Sequence, residues 1–221
     1  MFHSVDHPLE RGWVGRVDDD RVIQLAAQTL QSFFTGGGSA REHAVYPLDS
    51  VRLLAPVLHP PGVRVFDDQA TFAFANPAAI VGPEAEVAAS VLLPRLAAVI
   101  GAEGSFGGFT VFADWRRPGS SPPKDRDFAL GLGPVVVTPD EFDPDGLEAV
   151  VRVDGENRLR GWFGGFDWTA ARDLAAEGTV LKPGDLLAGP ALGTVDSLEP
   201  GSSVELEVEG VGVLRQTMLR D

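Results

Sequence analysis

No cysteine occurs anywhere in the 221 residues. That absence excludes a disulfide framework, a thiolate nucleophile and a zinc–thiolate site. Basic residues are also scarce, with 18 Lys and Arg against 32 Asp and Glu and a net charge of −14. Phosphate binding rests on clustered Lys and Arg, and no such cluster is present, so nucleic acid is excluded as an expected partner. An anionic membrane surface would repel the same charge. No apolar run is long enough to span a bilayer. The opening MFHSVDHPLERGW carries charges where a signal peptide needs an apolar stretch, so a cytoplasmic protein is expected. The four histidines, His3, His7, His43 and His59, have neither the spacing of a metal pair nor a nucleophile to serve.

What the chain does have is turn-forming residues. Its 26 glycines and 17 prolines predict short strands and many turns, while 44% hydrophobic and 23% charged residues are the balance of an ordinary globular protein. GWVGRVDDDRVIQL alternates apolar and polar around Asp18-Asp19-Asp20, which predicts a hairpin with a solvated turn. Helical spacing follows over Ala26–Phe34, stopped by Gly36-Gly37-Gly38. VRLLAPVLHPP reads as a strand closed by Pro60-Pro61, and a domain boundary falls near Ser50. Beyond it come short β-type runs, VRVFDD, TFAFANPAAIVGP, GFTVFADW, LGLGPVVVTPDEF, EAVVRVDGE, GDLLAGPAL and SSVELEVEGVGVLRQTM, with one clear helix over WTAARDLAAEG. This pattern predicts an α+β chain, mostly β, rolled into a mixed sheet.

Taken in order, PLDSVRLLAPV, ANPAAIVGP, RLAAVIG, GFTVFADW, KDRDFALGLGPVVVTPDE, VRVDGE, LKPGDLLAG and LEPGSSVELEVEGVGVL resemble segments of the fumarylacetoacetate hydrolase superfamily. The resemblance covers nearly the whole chain. It implies a mixed β-roll over residues 51–221 with a small N-terminal β-rich domain over residues 1–50, and a homodimer. It also implies a site for Mg²⁺ or Mn²⁺ that acts as a Lewis acid on 2-oxo acids or 1,3-dicarbonyl compounds, which family members hydrolyse, decarboxylate, hydrate or tautomerise.

The metal shell implied by the resemblance is a Glu-x-Glu pair on one strand and an Asp on a later one. Asp114 in GFTVFADW matches the Asp. Aligning on RLAAVIG puts the pair at Leu93 and Arg95, neither of which can ligate a cation. A second alignment offers Glu84 and Glu86, which also read as an acidic surface turn. The family's substrate-polarising Lys aligns with Arg126, with Lys124 two residues earlier, and its substrate-contacting Thr aligns with Ala191. The lid helix that carries a His-based pair is reduced to DDQATF.

Three functions remain open, and the first is preferred because a charged cluster is kept around Asp114, where an idle pocket would be free to fill with apolar residues. The first is a metal-independent enzyme of isomerase, cyclase, decarboxylase or C–C hydrolase type acting on a small carbonyl compound. In it Arg95 and Arg126 hold a carboxylate or enolate, Asp114 orients Arg95, and Trp115 and Lys124 complete the substrate site. The second is a non-catalytic paralogue that binds a ligand or partner subunit. The third is an ordinary Mg²⁺- or Mn²⁺-dependent hydrolase using Glu84, Glu86 and Asp114. The longer match favours the alignment without metal ligands, and Arg95 is then expected to point at Asp114 in the cation's place.

Overall fold

The computed structural model describes residues 1–141 and 143–220. Phe142, the last residue of the LGLGPVVVTPDEF run, lies outside them. The chain is mostly β, and its largest sheet has seven strands. Across that sheet the order is Phe72–Ala75, Val63–Phe66, Leu186–Ala188, Val91–Ile100, Phe106–Arg116, Leu130–Leu132, Ile80–Val81. Val63–Phe66 with Leu186–Ala188, and Leu130–Leu132 with Ile80–Val81, are parallel pairs, and the rest are antiparallel. A five-stranded sheet, in the order Glu156–Phe163, Leu147–Val153, Ser203–Val208, Gly212–Met218, Glu86–Val87, faces it.

The hairpin Val91–Ile100/Phe106–Arg116 forms the centre because it is apolar on both faces, as a strand buried between two layers must be. Leu92, Leu96, Ala98, Phe109, Val111, Ala113 and Trp115 pack against Val151, Val204, Leu206 and Leu214 of the five-stranded sheet. Ala97, Val99 and Phe112 face the opposite way, toward Ala55, Val57, Leu130 and Leu186. The joint between the two strands is a tight turn at Ala102–Gly104, with Glu103 and Gly104 at positive φ. Outside the five-stranded sheet, ion pairs Arg160–Glu148, Arg152–Glu207 and Arg215–Glu205 occupy the solvated face.

The first fifty residues build a three-stranded sheet, Gly15–Asp18, Arg21–Ala26 and Ser39–Pro47. The expected hairpin is present, with Asp18 opposite Arg21 and Asp19 at φ 54° in the turn. The helix is shorter than its apolar spacing suggests, Leu30–Phe34, because Thr29 and Ser32 form a capping box that fixes its start. Phe2–Ser4 pairs with Val51–Leu53, so strand pairing crosses Ser50. VRLLAPVLHPP contributes only Val51–Leu53 as strand, since Pro56, Pro60 and Pro61 cannot donate to a ladder. The second helix, Trp168–Ala176, is capped by Asp167, whose side chain accepts from the Ala170 N–H. Among the described residues no helix is long and apolar enough to cross a membrane.

The two sheets are joined by a buried polar link. Gln216, only 2% exposed, accepts from the Trp115 Nε1–H at 2.7 Å and donates to the Gly82 carbonyl at 2.9 Å. Gln216→Leu removes both bonds and leaves the indole N–H and the carbonyl unpaired. Urea denaturation is expected to show a loss of about 1–3 kcal/mol, and an unchanged midpoint would refute this role for Gln216.

Candidate functional site: a buried arginine among carboxylates

Strand alternation places Leu93, Arg95, Phe112 and Asp114 on one face of the central hairpin, with Leu93 directly opposite Asp114. Arg95 is 0% exposed, an unusual state for arginine that demands partners for its charge and its donors. It has them. Nε donates to Asp114 Oδ2 at 3.1 Å, Nη1 to the Phe66 and Gly189 carbonyls at 2.8 and 2.9 Å, and Nη2 to Asp67 at 2.8 Å. Arg95 therefore points at Asp114, as the alignment on RLAAVIG leads one to expect.

Asp114 is equally engaged. Arg116, two residues along the same strand and so on the same face, forks onto it with Nε to Oδ1 at 2.8 Å and Nη2 to Oδ2 at 2.6 Å. Burial works against the Arg116 charge, but the Asp114 hydrogen bonds and the attraction of Asp114, Asp125 and Asp67 win, holding its pKa above that of an ordinary arginine. From Arg116 the chain of charges continues to Asp125 and from Asp125 to Arg126, each step 3.5 Å, while Lys124 pairs separately with Asp127 at 2.7 Å. Four carboxylates (Asp67, Asp114, Asp125, Asp127) thus meet four cations (Arg95, Arg116, Arg126, Lys124), leaving no excess charge of either sign.

Two of the expected roles need correction. Arg95 offers no surface to a substrate carboxylate, because its three nitrogens bond inside the protein. Trp115 is no wall of this cluster: as the neighbour of Asp114 on a strand it points to the opposite face, where it binds Gln216. The rival ligand set is not assembled either. Glu84 is exposed at φ 61° and pairs with Arg52 at 3.1 Å, and Glu86 is exposed on the strand beside Gly212–Met218 in the other sheet. Among the described residues no three His, Asp or Glu side chains are grouped to hold a metal. A hard cation needs several free oxygen ligands. Asp114 already accepts three N–H groups, and positions 93 and 95 supply none. The donor set does not fit Mg²⁺ or Mn²⁺.

The sequence reading missed Asp67, Arg116 and Asp125. Arg116 was available from strand alternation alone. Asp67 was not, because its role comes from a contact 28 residues away. It opens the turn between Val63–Phe66 and Phe72–Ala75, the DDQATF segment to which the resemblance reduces the lid helix. Asp68 closes that turn by accepting from the Ala70 and Thr71 N–H groups, and Gln69 exchanges two 2.9 Å bonds with the Asp167 backbone. Ala191 lines a pocket beside Gly189. His3 lies in the strand Phe2–Ser4, 8% exposed; His7, His43 and His59 are exposed.

A family model described as fumarylacetoacetate (FAA) hydrolase C-terminal matches residues 66–219. An uncharacterized protein of Pyrococcus abyssi is 26% identical over 174 residues, 66% of this chain and 77% of that one. Among solved structures, fumarylacetoacetate hydrolase from Exiguobacterium antarcticum aligns with TM-score 0.80 and 21% identity over 96% of each chain. Maleylpyruvate hydrolase from Sphingobium, crystallised with manganese(II) and pyruvate, gives 0.79 and 20% over 96% of this chain and 97% of that one. 5-Carboxymethyl-2-hydroxymuconate delta-isomerase from Mycobacterium smegmatis gives 0.78 and 22% over 100% and 98%. At these identities the structures establish a common fold.

Removing Arg95 leaves the Phe66 and Gly189 carbonyls unpaired and deprives Asp114 of one of its two partners. Arg95→Met is expected to destabilise the fold by about 3–5 kcal/mol. Asp67→Asn, at a side chain 69% exposed, should lose less than about 1 kcal/mol. Equal losses in chemical denaturation would contradict this division between a buried and a rim partner.

Proposed function

Since this chain belongs to the fumarylacetoacetate hydrolase family yet carries a buried guanidinium where the family's metal ligands align, we propose that it is a non-catalytic, metal-independent member that binds a ligand or a partner. The observation that carries the reading is Arg95 itself, 0% exposed with Nε, Nη1 and Nη2 all bonded internally. A divalent cation beside it would set like charges in contact. The Lewis-acid step therefore has no place to act, and the four-to-four balance of charges leaves no positive field to gather a 2-oxo acid. The net charge of −14 opposes such an anion further. The homodimer expected from the resemblance is part of the same proposal.

A second reading, a metal-independent enzyme acting on a small carbonyl compound, is favoured by one observation. Arg126 Nε, in an ion pair with Asp125 Oδ2 at 3.5 Å, and the other carboxylate oxygen, Asp125 Oδ1, are buried without hydrogen-bond partners among the described residues. A donor and an acceptor that the ion pair leaves without hydrogen bonds suit a ligand that can both accept and donate, such as an enol or a carboxylic acid. In that reading Arg126 holds the substrate oxygen and Arg116, 14% exposed at its side chain, supports it from behind Asp125.

One assay separates the readings. The purified protein is incubated with oxaloacetate and with an acylpyruvate, with Mg²⁺, with Mn²⁺ and with chelator. No turnover above the uncatalysed rate is expected in any arm. Metal-stimulated turnover would overturn the proposal, and chelator-resistant turnover abolished by Arg126→Ala would establish the second reading in its place.

A further inference from the structure

The aromatic row that begins in the core with Phe166 and the buried Phe66 runs out to the surface. Phe66 meets Phe72 across the pairing of Val63–Phe66 with Phe72–Ala75, centroids 5.2 Å apart, and Phe72 meets Phe74 edge to face at 5.5 Å. Strand alternation puts Phe72 and Phe74 on one face, with Arg64 directly opposite Phe74. The Arg64 guanidinium carbon lies 5.4 Å from the Phe74 centroid and 5.9 Å from that of Phe72, so a cation–π contact steadies both rings. Phe74 is nevertheless 71% exposed, the most exposed large hydrophobic side chain among the described residues.

Phe72–Ala75 is also the end strand of the seven-stranded sheet, and among the described residues no strand pairs with its outer edge. An open edge invites pairing, and proteins blunt their edges with charges, proline or shortness. The other open edges are blunted in this way. Gly15–Asp18 carries Arg16 and Asp18, Ser39–Pro47 carries Arg41 and Glu42, and Glu156–Phe163 carries Glu156 and Arg160. Ile80–Val81 and Glu86–Val87 are two residues long, and Val51–Leu53 carries Arg52. Phe72–Ala75 has neither a charge nor a proline, and the chain stays uncharged from Thr71 to Pro83.

We propose that this edge is where two copies of the chain meet, their Phe72–Ala75 strands pairing antiparallel across a two-fold axis and joining two seven-stranded sheets into one. The occupant follows from charge. Two copies that each carry −14 repel one another over most of their surfaces, so an approach through uncharged segments is the favoured one. With the axis at Ala73 or Phe74, Asp68, the nearest charge before the strand, falls opposite residues 78–80 of the second copy, which are uncharged. No like charges are then set face to face, and Phe74 gains an aromatic partner across the axis. A charged peptide from another protein finds nothing along the edge to pair with. The proposal rests on the homodimer in the reading above and names its interface.

Sedimentation velocity and single-cysteine cross-linking of the full chain test it. The unaltered protein is expected to sediment as a dimer. Phe74→Ser removes the aromatic anchor and Ala73→Lys sets like charges across the axis, and each should raise the dimer dissociation constant about tenfold or more. Both positions are exposed, and circular dichroism checks that the variants stay folded. Because the chain has no cysteine of its own, Ala73→Cys and Phe74→Cys each carry a single thiol. A short bis-maleimide should join two chains through one or both of them, but not through Val45→Cys, 56% exposed on another edge strand. A monomer at every concentration would overturn the proposal together with the homodimer. A dimer indifferent to Phe74→Ser and Ala73→Lys, or one cross-linked as well through Val45→Cys, would overturn this edge and leave the homodimer standing. Neither outcome bears on turnover, so the non-catalytic reading fails separately, in its own assay.

Discussion

A single guanidinium fixes the geometry on which the rest depends. Val63–Phe66, Leu186–Ala188, Val91–Ile100 and Phe106–Arg116 are four consecutive strands of the seven-stranded sheet. Arg95 belongs to the third and bonds to the ends or continuations of the other three: the Phe66 carbonyl and Asp67, the Gly189 carbonyl, and Asp114. A buried charge of this kind stabilises only when every partner is in place. The position of the Asp67–Thr71 turn, the course of the chain after Ala188 and the set of the Asp114 carboxylate are therefore mutually determined.

The functional consequence follows from the difference between an arginine and a metal ion. Both neutralise buried carboxylates and both bridge strands. A metal ion also presents open coordination positions to a substrate, whereas a guanidinium has only donors, and here they are directed at protein oxygens. Asp114 is kept but its oxygens are turned to Arg95 and Arg116. In the proposed reading the fold needs no metal ion, because the cations that neutralise Asp114 are part of the chain.

Much of this was legible in the sequence, and the reasons for the failures are physical. The strand Phe106–Arg116, the Asp18–Asp20 turn and the Trp168–Ala176 helix followed from local periodicity, whereas the partner strand Val91–Ile100, buried on both faces, shows no alternation. The pairing of Arg95 with Asp114 followed from strand alternation once the alignment was fixed. Trp115 was misplaced because adjacency in sequence was taken for adjacency in space, although neighbours on a strand face opposite ways. Asp67 and the carbonyls of Phe66 and Gly189 carried no local signal, since their role arises only when the strand order brings them beside Arg95. The Leu30–Phe34 helix was overextended because apolar spacing marks a face and not an end; its capping box at Thr29 was the boundary signal.

The central claim is that Arg95 holds the place of a divalent cation. Anomalous diffraction from a crystal soaked in Mn²⁺ tests it directly, because manganese is located by its own scattering. The account predicts no manganese peak within coordination distance of Asp114, with the Arg95 guanidinium bonded to Asp114, Asp67 and the Phe66 and Gly189 carbonyls. A manganese ion on Asp114 with Arg95 swung aside, or one held jointly by Glu84, Glu86 and Asp114, would contradict it.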